Sequence, residues 1–439
     1  MKHETFHYKS REEFRRKLQE LGADIPLAED TGALFKPLGR LPNRIVFQPM
    51  EGCDGGTDGS VGELALRRYI REAEGGAGLL WFEAVAIVPE GRANPRQPWL
   101  TEKTLESFQR TVDQVKEAGI RKNGYAPVMI LQATHSGRYS RPEGVPAPLV
   151  AYLNPLFEKN APLSPDRVVS DGYLDSLPEY YGKTAMLAEK AGFDGVDIKC
   201  CHRYLLSELL SAYNRPGKYG GSLENRARLL LQGIEAANAA TGRDFLKTCR
   251  LNLYDAFPYP FGFGTDLREG SDRRDPGELN TLVSWLTERG VRLLNTSMGN
   301  PYVNPHVNRP FAAGGYTEPE HPLAGVARML QGIAAVQRAV PQVAVVSSAM
   351  SYLGAAAPAV AAAGVAGGDY AVAGFGRLTF ADPDFARQIL RDGKPDPRQS
   401  CVCCSKCTEL MRSGSTPGCV VRDPLYTDLY RQLKTAKEA

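Results

Sequence analysis

The sequence predicts a (β/α)8 barrel, and three observations predict it. Eight apolar, β-rich runs alternate with amphipathic helical stretches, which implies parallel strand pairing and right-handed crossovers. Eight such units are the count of a closed barrel. The chemically unusual residues cluster at the carboxyl ends of those runs, where a barrel carries its chemistry. A doubly wound sheet is the alternative, but no G-x-G-x-x-G follows the first run.

Strands are expected at 43–49, 78–87, 127–135, 195–200, 246–253, 293–297, 343–348 and 369–374. Helical patterns lie between them at 63–74, 105–118, 180–191, 223–239, 275–289 and 324–339. Two segments lie outside the barrel (36–395). In the amino-terminal one (1–35), Ser10-x-x-Glu13 is a capping box. Phe14, Leu18 and Leu21 share one face of that helix, and Gly22 suits its end. The carboxyl-terminal segment (396–439) is rich in cysteine. It finishes in a helix with Leu425, Leu429 and Leu433 on one face. No internal repeat beyond the βα unit is present.

Bulk properties narrow the function. A chain of 439 residues, 43% hydrophobic and 23% charged, is that of a globular protein with one large domain and attachments. Fifty-three basic against 50 acidic residues leave a formal charge of +3, so nucleic acid is not an expected partner. No run approaches the roughly 20 apolar residues of a membrane helix. The start, Met1-Lys-His-Glu-Thr-Phe-His-Tyr-Lys9, lacks the apolar core of a secretory leader. Nine cysteines, five of them between Cys401 and Cys419, suit a reducing cytoplasm with free or metal-bound thiols.

The most informative stretch runs from Gly195 to Arg226. A buried strand leads into His202 and Tyr204, which sets a hydrogen-bond donor beside a proton donor at a strand end. Asn214-Arg215 follows, and then Tyr219-Gly-Gly-Ser-x-Glu-Asn225-Arg226, which opens a helix at Ser222. This order resembles the signature of the old yellow enzyme family of flavin-dependent reductases. The resemblance covers roughly 36–390 and includes Leu41-Pro-Asn-Arg-Ile-Val-Phe-Gln-Pro49-Met50, Gln132-Ala-Thr-His135-Ser-Gly-Arg138 and Gly374-Phe-Gly376-Arg377.

The resemblance implies FMN as cofactor and NAD(P)H as electron donor. It places Pro49 and Met50 beside the flavin ring and Gln132 on its pyrimidine edge. Arg250 becomes the cation that stabilises the reduced flavin, with Ser348, Ala349, Gly376 and Arg377 at its phosphate. His135 is expected to brace the barrel rim. Two departures stand out. Glu51 follows Pro-Met where a small residue is usual, so either it acts on the flavin or its loop is displaced. The strand-seven loop, Val346-Ser-Ser-Ala-Met-Ser351, lacks the usual glycines.

By the same resemblance Tyr204 is the proton donor to the α-carbon of an activated C=C bond. His202 is one donor to the activating oxygen. Lys199 takes the other donor's place. As a clamp on an enolate or carboxylate it suggests an acidic, unsaturated small molecule; otherwise it pairs with a carboxylate such as Asp197 or Glu83. Asn295–His306 looks like a pocket wall in which Tyr302 and His306 reach substrate, and 255–266 like a lid.

Cys401-x2-Cys404-x2-Cys407-x11-Cys419 has the compact spacing of cluster-bearing motifs. Zinc prefers two separated C-x2-C pairs. A closely similar set occurs in the branch of the family with bacterial 2,4-dienoyl-CoA reductases and trimethylamine dehydrogenase, which implies a [4Fe-4S] cluster. Cys403 is read as a bystander. The second flavin and nucleotide module of those relatives is not expected after Ala439. A separate electron-donor protein then becomes a possible partner, and a homo-oligomer is compatible. The rival readings are an amine dehydrogenase that cleaves C–N bonds and an electron-transfer subunit.

Overall fold

A computed structural model describes residues 4–8 and 10–438. Residues 1–3 and Lys9, part of the start read as lacking a leader, lie outside the description, as does Ala439. Eight parallel strands form one sheet: β1 Ile45–Phe47, β2 Leu79–Ala86, β3 Val128–Thr134, β4 Gly195–Ile198, β5 Leu246–Asn252, β6 Leu293–Ser297, β7 Ala344–Val346 and β8 Ala373–Phe375. Successive strands are neighbours and β8 returns to β1, pairing Val46 with Gly374. A bridge between Val346 and Val372 closes the circle. The fold is the expected (β/α)8 barrel.

The strands are short and almost wholly buried, which suits residues covered on both faces. Val46, Leu79, Trp81, Ile130, Leu293 and Val346 fill one apolar cluster. A larger one packs the sheet against helices that include Glu63–Glu74, Leu105–Asn123, Asp171–Lys190, Leu223–Ala240 and Pro322–Ala339. Gly195 is required where β4 passes its neighbours: a Cβ there would lie 2.6 Å from Leu246 and 2.7 Å from Ile130. The eighth strand begins four residues later than expected. The Asp369 amide is instead used to close the preceding helix on the Gly364 carbonyl.

Hydroxyl caps set the helix starts. Ser10 accepts from the Glu13 amide at 3.1 Å, as the capping box predicts, and Ser222 accepts from Asn225 at 3.4 Å. The Tyr-Gly-Gly-Ser-x-Glu-Asn-Arg stretch proves to be scaffold. Arg226 binds the Leu210 carbonyl and Glu278, and Arg215 binds the Val169 carbonyl and Asp171, each at 2.8 Å. Gly137 and Arg138 brace the neighbouring loop. Gly137 has φ +57° and packs on the Leu205 backbone, while Arg138 pairs with Glu208 at 2.6 Å and Glu158 at 3.0 Å.

The loop 255–266 is tied down. Asp255 accepts from Asn252 at 2.8 Å, from the Phe263 amide at 3.1 Å and from Arg203 at 3.3 Å. None of its residues lines the cleft at the barrel mouth, so the expectation of a lid there is corrected. Both members of the Arg203–Asp255 pair are fully buried. Asp255→Ala removes the buried carboxylate shared by Arg203, Asn252 and the Phe263 amide, and should cost about 3–5 kcal/mol. The measurement is the urea midpoint of the variant against the parent.

Candidate active site at the carboxyl ends of the strands

A cleft of about 170 Å³ lies at the carboxyl ends of the strands. Its walls come from four directions. The end of β1 supplies Gln48, Pro49, Met50 and Glu51. The β4 loop supplies Lys199, His202 and Tyr204, and β5 supplies Arg250. The loops after β6, β7 and β8 supply Ser297, Tyr302, Asn308 and Arg309, then Ser348, Ala349 and Ser351, then Gly376, Arg377 and Phe380. The cysteine-rich segment closes the fourth side with Cys407, Thr408, Met411 and Pro417.

His202 and Arg203 both adopt left-handed backbone conformations, at φ +63° and +61°. Such strain in two consecutive non-glycine residues is typical of functional sites. It turns His202 and Tyr204 into the cleft just after β4. His202 Nε2 lies 3.0 Å from Ser297 Oγ and 3.1 Å from Asn308 Nδ2. Burial, with Arg250 and Lys199 nearby, pushes its pKa well below the usual histidine range, so the ring is neutral. The Tyr204 hydroxyl donates to Glu51 Oε1 at 2.9 Å and lies 3.1 Å from the Tyr302 hydroxyl. Burial first, and then Glu51, raise its pKa well above the ordinary phenol range, so it carries its proton.

The Glu51 loop is not displaced, for the carboxylate lines the cleft. The Lys199 ammonium meets Glu51 Oε1 at 3.4 Å and sits 3.8 Å from the Tyr204 ring centroid. The expected partners of Lys199 are engaged elsewhere. Glu83 accepts from Arg68 and from the Gly52 amide. Asp197 accepts from Trp81 at 2.8 Å, Gln132 at 2.6 Å and the Arg250 amide at 2.6 Å. Glu51 is thus the carboxylate that Lys199 meets, in place of Asp197 or Glu83.

Gln132 also departs from expectation. It is buried in the barrel and does not line the cleft. The physical reason is Asp197: a carboxylate buried among apolar strands needs donors, and the Gln132 amide is one. His135 behaves as the brace it was read to be. It contacts the Tyr173 hydroxyl at 2.8 Å and accepts from the Gly137 amide at 3.0 Å, and burial lowers its pKa to about 3. His306 contacts Tyr316 at 2.6 Å and is not among the lining residues, so its expected substrate contact is corrected; Tyr302 does line the cleft.

The residues fit a flat, anionic, phosphate-bearing ligand such as FMN. Arg250 and Arg377 each keep a buried guanidinium nitrogen without a protein partner, Nε and Nη1 respectively. A second cation, Arg309, lies near Arg377, and burial and that neighbour lower its pKa to about 10. Two desolvated cations in one cleft call for an anion between them. Ala349 takes φ +71°, a conformation that would suit glycine, and so opens the turn without the glycines the sequence lacks. A Cβ on Gly376 would meet Met50 Sδ at 3.3 Å, and one on Gly374 would meet Ser347 O at 2.2 Å. Sequence reasoning missed Gln48, Asn308 and Arg309, whereas Ser297 falls in the segment read as a pocket wall. Gln48 lies inside the first motif, but no pattern marks Arg309.

Cys401, Cys404, Cys407 and Cys419 line one small cavity of about 20 Å³, together with Cys403, Arg377 and Phe380. Cys407, Arg377 and Phe380 also line the larger cleft, so the two cavities share a wall. The cysteine segment therefore sits at the barrel mouth rather than on its flank. Cys403 is not remote from the others, since its sulfur lies 3.9 Å from that of Cys401. Among the described residues, no three His, Cys, Asp or Glu side chains converge as a site for a single metal ion.

Residues 33–264 match the model of the NADH:flavin oxidoreductase / NADH oxidase family. An NADPH dehydrogenase of Bacillus pumilus is 29% identical over 265 residues, 59% of this chain and 70% of that one. A 12-oxophytodienoate reductase 7 of Oryza sativa is 28% identical over 268 residues, 56% of this chain and 66% of that one. A solved 2-naphthoyl-CoA reductase superposes with a TM-score of 0.72 at 19% identity, covering 91% of this chain and 58% of that one, a likeness of fold. No helix among the described residues is long and apolar enough to cross a membrane. The chain belongs to the NADH:flavin oxidoreductase / NADH oxidase family, that of old yellow enzyme, and is an FMN- and NAD(P)H-dependent oxidoreductase of the ene-reductase type.

Proposed function

We propose that the protein reduces the C=C bond of an enone, enoate or enoyl thioester, with Tyr204 as proton donor and His202 and Lys199 around the activating oxygen. One observation carries this reading: a buried, protonated Tyr204 and a neutral His202 face the same cleft as the unpartnered atoms of Arg250 and Arg377. Bound FMN would supply the hydride. Pro49, Met50 and Glu51 would lie along the flavin, with Arg250 balancing its charge. Ser348, Ala349, Gly376, Arg377 and Arg309 would hold its phosphate. His202, held by Ser297 and Asn308, is oriented to donate to an oxygen on which negative charge grows, and such a preorganised donor favours the transition state over the ground state.

We further propose a [4Fe-4S] cluster on Cys401, Cys404, Cys407 and Cys419. Their compact C-x2-C-x2-C-x11-C spacing, and their place around one small cavity, support the cluster over zinc. The wall of Cys407, Arg377 and Phe380 shared by the two cavities supports a relay to the flavin, and a separate electron-donor protein would then feed it. Nine free thiols suit the reducing cytoplasm.

Protein from flavin-replete cells should be yellow and release about one FMN per chain on denaturation. Arg377→Ala should lower that content and weaken FMN in a fluorescence titration. Failure of the parent protein to hold FMN even after reconstitution would overturn the reading.

A further inference from the structure

Each turnover leaves Tyr204 short of a proton, and its side chain is almost wholly buried. We propose that Glu51 is a further catalytic residue, which takes a proton from solvent and returns it to Tyr204 while Lys199 holds its carboxylate in place. The inference rests on Tyr204 being the proton donor.

The geometry supports it at each link. Tyr204 is 2% exposed and its hydroxyl meets Glu51 Oε1 at 2.9 Å. The Lys199 side chain is 3% exposed and reaches the same oxygen at 3.4 Å. The Glu51 side chain is 16% exposed, so of the three it is the one that reaches water. A phenolate and a carboxylate cannot both persist at hydrogen-bond distance in a buried site. Loss of the tyrosine proton therefore drives uptake of a proton by the pair, through its solvent-facing member. Lys199, fixed over the Tyr204 ring, limits the negative charge while the pair is short of that proton.

The step balances. The Tyr204 O–H bond breaks as the substrate α-C–H bond forms, and the hydride supplies the electron pair for the other new C–H bond. A solvent proton adds to the Glu51 carboxylate. That O–H bond then breaks as the phenol re-forms. One hydride and one solvent proton are consumed, and both side chains are restored.

The alternative is that Glu51 only orients the hydroxyl, and Gln does that as well, since its amide oxygen also accepts a hydrogen bond. Glu51→Gln holoenzyme separates the two. Single turnover of dithionite-reduced enzyme with 2-cyclohexen-1-one uses the proton already on Tyr204. Steady-state turnover, with dithionite in excess, needs that proton replaced. The ratio of single-turnover to steady-state rate should rise about 10²-fold over the parent. Small weak-acid buffers should restore the steady state, and Glu51→Asp should lie near the parent. In a Tyr204→Phe background, Glu51→Gln should add nothing, because the relay has no recipient. An unchanged ratio without buffer dependence, or additive losses in the double variant, would overturn the relay alone. A parent enzyme that reduces no enone, enoate or enoyl thioester would overturn the ene-reductase reading beneath it.

Discussion

Tyr204→Phe slows reduction of an enone by about 10²–10⁴-fold, the usual worth of a positioned general acid. The ring stays, so its packing and the Lys199 contact over its face survive, and only the proton is lost. Reduction of the flavin by NAD(P)H should change little, since that half-reaction does not use the phenol. The two half-reactions, followed separately by flavin absorbance, give the contrast. The pH profile adds a sign. Burial and Glu51 raise the Tyr204 pKa in the folded protein, so its protonated form is retained through neutral pH and lost only in strong alkali. Enone reduction by the parent should therefore show no loss near pH 7 that is traceable to this tyrosine. Equal survival of both half-reactions in the variant would remove Tyr204 from the chemistry.

Cys404→Ser should abolish the metal centre: about four iron and four sulfide per chain in the anaerobically prepared parent, and essentially none in the variant. Cys404 is the better choice than Cys407, because Cys407 also lines the flavin cleft and its loss would disturb both cofactors. Flavin content should persist in the Cys404 variant. Cys403→Ser is the sharper control, since its sulfur lies 3.9 Å from that of Cys401. Iron retained in Cys403→Ser and lost in Cys404→Ser would assign the ligands by spacing. One zinc and no iron in the parent would reduce the segment to a structural staple.

Much of the barrel is legible in the sequence. The helix Glu63–Glu74 and the strand Leu293–Ser297 match their expected bounds, the helix because its clear apolar period leaves it little freedom. Ser10 and Ser222 announce helix starts because a hydroxyl cap acts within three residues. Most of the expected site residues reach the cleft, Tyr204, His202, Lys199, Arg250, Ser348, Gly376 and Arg377 among them. Gln132 carries the right motif and is drawn instead to Asp197, a residue 65 positions away.

By itself the sequence determined the alternating βα pattern, the caps and the placing of polar groups near strand ends, all consequences of interactions between near neighbours along the chain. Only the tertiary structure decided which charges pair and which walls meet. Lys199 finds Glu51 across 148 positions, Arg309 comes beside Arg377, and the cysteine segment folds over the barrel mouth to share Cys407 with the cleft. Electrostatic pairing depends on distance and burial rather than on spacing along the chain, and both exist only once the barrel has closed.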